Sequence, residues 1–154
     1  MIVSSLVAIA FALSLWRLFG FAMGLRFAKR SRERARLAQE QEGRRVIAEI
    51  PLDDDVVFFI EDAASFSWGT QSAARADVIG SRLLLNGGVM ATWSRPGASL
   101  PEPPAAEAYE GGERWDVMLY ERDGAGRAVP CGTLREGVSR EIASKVFEAI
   151  RRSA

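Results

Sequence analysis

The sequence predicts one membrane-spanning helix followed by a mainly-β domain that ends in an amphipathic helix. Three observations lead to this fold class. Residues 2–25 are almost all apolar, short β-rich runs alternate with turn residues after Gly43, and residues 139–152 repeat apolar side chains at helical spacing. A chain of 154 residues leaves room for one domain after a membrane segment.

Residues 2–25 are predicted to form the membrane span. They contain a single charged side chain, Arg17. As a helix they would be about 36 Å long, which is enough to cross a hydrocarbon core of about 30 Å. A cleaved signal peptide is the alternative, but its positive charges precede the apolar stretch, whereas here they follow it. We therefore predict an anchor that is retained.

Three residues within the span are candidates for packing against another membrane helix. A charge inside the bilayer costs about 2.5 to 3.5 kcal/mol, so Arg17 either extends toward the headgroups or contacts a polar group of a neighbouring helix. Gly20 and Gly24 have the spacing that lets two helices approach closely. Other transmembrane subunits of a complex are therefore predicted partners.

A cluster of cations follows the span directly. Its members lie within eleven residues: Arg26, Lys29, Arg30, Arg32, Arg34 and Arg36. Because such clusters remain cytoplasmic, we predict an inner (cytoplasmic) membrane location, with the amino terminus outside and the domain inside. The cluster either binds anionic membrane lipids, at about 1 kcal/mol per cation, or serves only as a topology signal. It contains a single aromatic residue, Phe27, and would be fixed against a membrane, so nucleic acid is not a predicted partner.

Residues 26–44 are predicted to form a basic neck, helical to about Glu42 because no proline or glycine occurs before Gly43. Charge divides unevenly along the chain. Residues 17–45 hold nine cations and three glutamates, a net of +6, whereas residues 46–154 hold eleven cations and seventeen carboxylates, a net of −6. A basic neck thus precedes an acidic domain.

Residues 45–153 are predicted to form seven short antiparallel strands and a final helix. The Asn86-Gly87-Gly88 sequence is typical of a tight hairpin, since asparagine and glycine tolerate positive φ. A long loop is expected over 94–113, because these residues are rich in Pro, Gly, Ala and Glu. The predicted strands lie at about 46–50, 56–60, 66–68, 76–85, 89–93, 115–120 and 127–134.

The helix over 139–152 is predicted to start at Ser139 as N-cap. Its apolar face consists of Ile142, Ala143, Val146, Phe147 and Ile150. Seven strands followed by one amphipathic helix resemble the pleckstrin-homology-like fold, in which a bent antiparallel sandwich has one end covered by the last helix. The resemblance rests on element order over residues 45–153. It implies a lipid binder, a peptide binder or a scaffold, and the acidic turn at Asp53–Asp55 does not match the basic first hairpin of headgroup binders.

No catalytic residue, metal site or cofactor is predicted. The chain has no histidine, the usual general base and metal ligand. Cys131, the only cysteine, is expected to be a buried structural thiol, with a nucleophile as the alternative. The carboxylates of Glu61, Asp62, Asp116 and Glu121 have no spacing that demands acid–base work.

Two functions remain open after these exclusions. The first is a non-catalytic accessory subunit or scaffold of a larger membrane complex, docking through its span and its cytoplasmic domain. The alternative is a membrane-anchored sensor or binding module that captures a ligand or a partner peptide through the loop 94–113.

Overall fold

A computed structural model describes residues 31, 33–52, 55–103, 112–133 and 137–154. The chain divides into two compact units, residues 1–42 and residues 43–154. In the first unit, residues 33–41 are helical (α1). Among the described residues, no helix has both the length and the apolar character needed to cross a membrane. The predicted span over 2–25 lies outside the described residues and stays a prediction.

The second unit contains two four-stranded antiparallel sheets. The first sheet has the order β1-β2-β3-β4, so each strand pairs with the next along the chain. Phe66 and Trp68 point into the core from β3, as their alternation predicts, and Gly69 ends that strand with a positive φ of 57°. The strands are β1 (Arg45–Leu52), β2 (Asp55–Glu61), β3 (Ser65–Trp68) and β4 (Gln71–Ala74).

The second sheet has the order β6-β5-β7-β8, so the hairpin strand β6 lies at an edge and β5 pairs with β7 on its other side. The hairpin between β5 and β6 is the predicted one: Leu85 pairs with Gly88, and Asn86 and Gly87 have φ values of 49° and 79°. The strands are β5 (Val78–Leu85), β6 (Gly88–Ser94), β7 (Trp115–Glu121) and β8 (Gly126–Gly132).

Helix α2 (Val138–Ser153) contributes to one core together with both sheets. Its buried side chains include Ala143, Val146, Phe147 and Ile150, four of the five residues predicted for its apolar face, and Ile142 is half-buried. On the sheet side the largest fully buried side chains are Phe59 and Phe66, whose rings stack at 5.8 Å. The mainly-β domain with a C-terminal helix is therefore confirmed.

Two details of the prediction are wrong. The described residues contain eight strands rather than seven. The strand that was not predicted is β4, and a turn at 75–77 separates it from β5, which corresponds to the strand predicted over 76–85. Ser139 is not the N-cap of α2. Gly137 takes that position in a left-handed conformation with φ of 77°, and Ser139 lies one residue inside the helix with no exposed surface.

Candidate functional site

A concavity of about 470 Å³ that is open to solvent lies between β1 and α2. We call it the β1–α2 groove. Its walls are formed by Arg45, Val46 and Ile47 of β1 and by Glu141, Ser144, Lys145, Glu148 and Arg152 of α2.

The α2 wall follows from the helical repeat. Its residues recur at intervals of three, four and seven positions, so they share one face of the helix. The neighbouring face is buried in the core, and this burial holds the polar wall in a fixed orientation. The helix therefore has one apolar stripe for the core and one charged stripe for the β1–α2 groove.

The two carboxylates and two cations of this wall sum to zero, and Arg45 of β1 gives the groove a net charge of +1. Lys145 Nζ lies 2.7 Å from Glu141 Oε1, and that hydrogen bond together with the lysine charge lowers the pKa of Glu141. Glu148 forms an ion pair with Arg151 at 2.8 Å. Arg45 and Arg152 form no ion pair with any described residue. Two arginines of the β1–α2 groove are thus not held in an ion pair with a described residue, although Glu141 and Glu148 line the same groove.

The β1 wall is the edge of a sheet. β1 pairs with β2 on one side only, so the backbone of its other edge is unpaired by any described strand. The pairing shifts between Val46 and Ala48, a β-bulge at Ile47. Val46 and Ile47 are both half-buried and supply an apolar floor beside the arginines.

An arginine that no local sequence pattern singles out links α2 to the first sheet. Arg75 Nε and Nη2 donate to the carbonyl oxygen of Ser153 at 2.9 and 2.6 Å, and its Nη1 donates to the carbonyl oxygen of Asp62 at 2.9 Å. The guanidinium lies 5.9 Å from the centre of the Phe66 ring. One side chain therefore ties the last turn of α2 to the turn between β2 and β3.

The carboxylates considered for acid–base chemistry all have structural roles in this domain. Asp62 accepts bonds from the backbone N–H groups of Ala64 and Ser65, which lower its pKa. Each of the others has an arginine partner: Glu61 lies 3.8 Å from Arg75, Asp116 lies 2.8 Å from Arg114, and Glu121 pairs with Arg127.

Cys131 has no exposed surface, in agreement with the prediction of a buried structural thiol. Burial, with the Asp116 charge as a second cause, raises the pKa of this thiol to about 12. At neutral pH it is therefore almost entirely protonated and a poor nucleophile. In the described part of the chain, no group of three or more histidine, cysteine or carboxylate side chains could hold a metal ion.

The first half of the loop 94–113 packs on its own domain. Leu100 lies against Gly80 of β5, and the guanidinium of Arg82 donates to the carbonyl oxygen of Pro101 at 2.7 Å and to the Tyr120 hydroxyl at 2.9 Å. Residues 104–111 lie outside the described ranges. An apolar pocket of about 150 Å³ lies elsewhere, beside Trp68 and Pro130, and is smaller than typical ligand sites of about 300 Å³ or more.

The residues singled out from the sequence lie mostly outside the described part of the chain. This applies to Arg17, Gly20, Gly24, Arg26, Lys29, Arg30 and Arg32. Arg34 and Arg36 are exposed on α1, and Arg36 forms an ion pair with Glu40 at 3.0 Å. The sequence reasoning missed the β1–α2 groove. The only sequence feature that indicates the groove is the row of charged residues beside the apolar face of α2. The same row is typical of a helix face that is simply exposed to solvent.

Compared with protein families, curated proteins and solved structures, the chain matches none of them.

Proposed function

We propose that this protein is a non-catalytic, membrane-anchored accessory subunit or scaffold of a larger membrane complex, and that its β domain holds a partner subunit in the β1–α2 groove. The observation that carries the proposal is the pair of arginines, Arg45 and Arg152, that face the groove without an ion pair to any described residue and leave the groove with a net charge of +1. Such charges at a surface select a partner of opposite sign.

The chemistry of the groove defines the partner segment. A polypeptide that carries carboxylates would offset the two arginine charges, and an apolar side chain of that segment would cover Val46 and Ile47. No described strand pairs with the outer edge of β1, so an extended segment can bond to the backbone there. The bulge at Ile47 interrupts the edge, so the side-chain contacts are expected to contribute more than a continuous strand pairing.

The proposed anchoring follows the sequence. The span over 2–25 docks against other transmembrane subunits through Arg17, Gly20 and Gly24, and the cations that follow it lie against anionic lipid. The domain is then cytoplasmic. A pleckstrin-homology-like arrangement of the two sheets and α2 fits this role, because that fold presents peptide-binding and scaffolding surfaces.

The decisive experiment isolates the full chain from native membranes in mild detergent and identifies the proteins that accompany it at fixed stoichiometry. Arg45→Glu and Arg152→Glu, tested singly and together, should lower the retained partner, by about tenfold for the double variant. Arg140→Glu is the matched control, because Arg140 is exposed on the same helix but does not line the groove. Rising salt should release the wild-type partner in the same way.

Two results would contradict the proposal. If the chain migrates alone, it is not a stoichiometric subunit, and the alternative of a ligand-binding or peptide-binding module gains support. If a partner is retained equally by the double variant and by Arg140→Glu, the complex exists but the β1–α2 groove does not hold it.

A further inference from the structure

Four strands form the edges of the two sheets: β1, β4, β6 and β8. Proteins usually protect such edges against pairing with other chains, using charges, proline or short length. β1 contains Arg45, Glu49 and Pro51, β8 contains Arg127 and Pro130, and β4 is only four residues long. β6 is seven residues long and has no charged residue and no proline.

β6 is also open to solvent. Val89 and Met90 expose 42% and 58% of their surface, and Thr92 is likewise exposed. On the side away from β5, no described strand pairs with β6. The bulge that shifts its pairing lies at Met90, so residues 91–94 remain a regular strand.

The ladder with β5 shows which backbone groups of β6 face outward. Arg95 N donates to the carbonyl oxygen of Ile79 at 2.8 Å, which makes 79 and 95 a hydrogen-bonded pair. Hydrogen-bonded and non-hydrogen-bonded pairs alternate in an antiparallel ladder. The Arg82–Thr92 and Gly80–Ser94 pairs are therefore non-hydrogen-bonded, and the N–H and C=O groups of Thr92 and Ser94 point away from β5.

We propose that β6 pairs antiparallel with β6 of a second copy of this chain, with the two-fold axis at Thr92, so that two four-stranded sheets join into one of eight strands. This inference goes beyond the proposed function and does not depend on the β1–α2 groove, because no β6 residue lines it; it rests on the proposed function only for the membrane anchor. Each Thr92 donates its N–H to the carbonyl oxygen of the other, which satisfies two outward groups on each edge.

The side chains fit this register. Ala91 and Trp93 both pack against the core, and the two-fold axis places the small Ala91 of one copy opposite the large Trp93 of the other. Thr92 stands opposite Thr92 on the exposed side, which is a favourable cross-strand pair. The strand carries no charge, so no like charges meet. The contact is small and weak in solution, but two chains anchored in one membrane meet at a high effective concentration.

Disulfide trapping of the full chain in its native membrane tests the register. The Cα atoms of a hydrogen-bonded antiparallel pair lie about 5.5 Å apart, a distance that a disulfide spans. Thr92→Cys should give a cross-linked dimer under mild oxidation, whereas Ser72→Cys, on the exposed edge strand β4, should give at least about tenfold less. Cys131 does not interfere, because it is buried and its pKa is raised to about 12.

A second variant tests the contact without a cross-link. Thr92→Lys places a cation at the two-fold axis, where it meets its own copy, and should abolish co-isolation of two differently tagged full chains, whereas Ser72→Lys should not. Equal cross-linking at both cysteine positions, no cross-link at Thr92→Cys, or co-isolation unchanged by Thr92→Lys would each overturn the proposal. Loss of a different protein on Thr92→Lys, without co-isolation of two copies, would overturn it too and assign the edge to that protein.

Discussion

The β1–α2 groove and the β6 edge lie on the same small domain, yet they differ in their charge and in how readily their strands can pair with another strand. The groove is lined by five charged side chains of both signs, and its strand carries two charged residues, a proline and a bulge that limit strand pairing. The β6 edge has no charge, and no described strand pairs with its outward backbone groups. A charged surface selects its partner by electrostatic complementarity, whereas a bare edge selects by strand geometry. This difference is the reason that we propose a separate partner for each surface.

The largest effect is expected from a core substitution, because it destabilises the whole domain and therefore both surfaces. Phe59 has no exposed area and packs against Phe66 and Trp68 at ring distances of 5.8 Å. Phe59→Ala should lower the free energy of unfolding by about 3 to 5 kcal/mol, because it leaves a cavity in the core shared by both sheets and α2. Thermal unfolding of the detergent-solubilised chain measures this loss. Partner retention and β6 pairing should both fall, and a variant that kept full stability would show that the two sheets do not share one core.

A smaller change should affect the groove alone. Arg75→Met keeps an apolar stem over Phe66 but removes the bonds to the carbonyl oxygens of Ser153 and Asp62, at an expected cost of about 2 kcal/mol. Hydrogen exchange should accelerate in the last turn of α2, and partner retention should fall because Arg152 is no longer held in place. Arg151→Met is the control for the exchange measurement alone, since Arg151 is exposed and pairs with Glu148, a residue of the groove. Unchanged exchange in that turn would show that α2 is held by its apolar face alone.

The smallest expected effect is confined to the β6 side. A Cβ on Gly80 would lie 2.7 Å from the carbonyl oxygen of Trp93 and 2.6 Å from Leu100 Cδ2. Gly80→Ala should therefore push β6 away from β5, with a loss of about 1 to 2 kcal/mol and a lower yield of the Thr92→Cys cross-link. Partner retention in the groove should not change.

Gly126→Ala is the matched control for this substitution, because the Cβ would meet only the flexible end of Met118, at 3.0 Å, and the edge of the Tyr120 ring at 3.4 Å. If both alanine variants lowered the cross-link yield equally, the effect would reflect general destabilisation rather than displacement of β6.

Local sequence signals predicted those elements whose cause is local. The alternation of Phe66 and Trp68, the Asn86-Gly87 turn and the apolar face of α2 each follow from the conformational preferences and the spacing of a few neighbouring residues. The turn at 75–77, between β4 and β5, was not predicted because it contains no glycine or proline. It is stabilised by Arg75, whose bonds reach Ser153, 78 positions along the chain.

The candidate surfaces could not be predicted from local sequence either, because each depends on contacts between segments that are far apart in the chain. Which strand lies at an edge depends on β7 returning to pair with β5 rather than with β6, a contact between segments separated by a long loop. The β1–α2 groove likewise joins residues 45–47 with residues 141–152.

The sequence by itself determined seven of the eight described strands, the final helix, the hairpin turn and most residues that face the core, because these depend on backbone preference and on apolar periodicity. Only the tertiary structure decided which edges are free and which charges face one groove. Pairing of distant segments is governed by the free energy of the whole fold, and no short stretch of sequence contains that information.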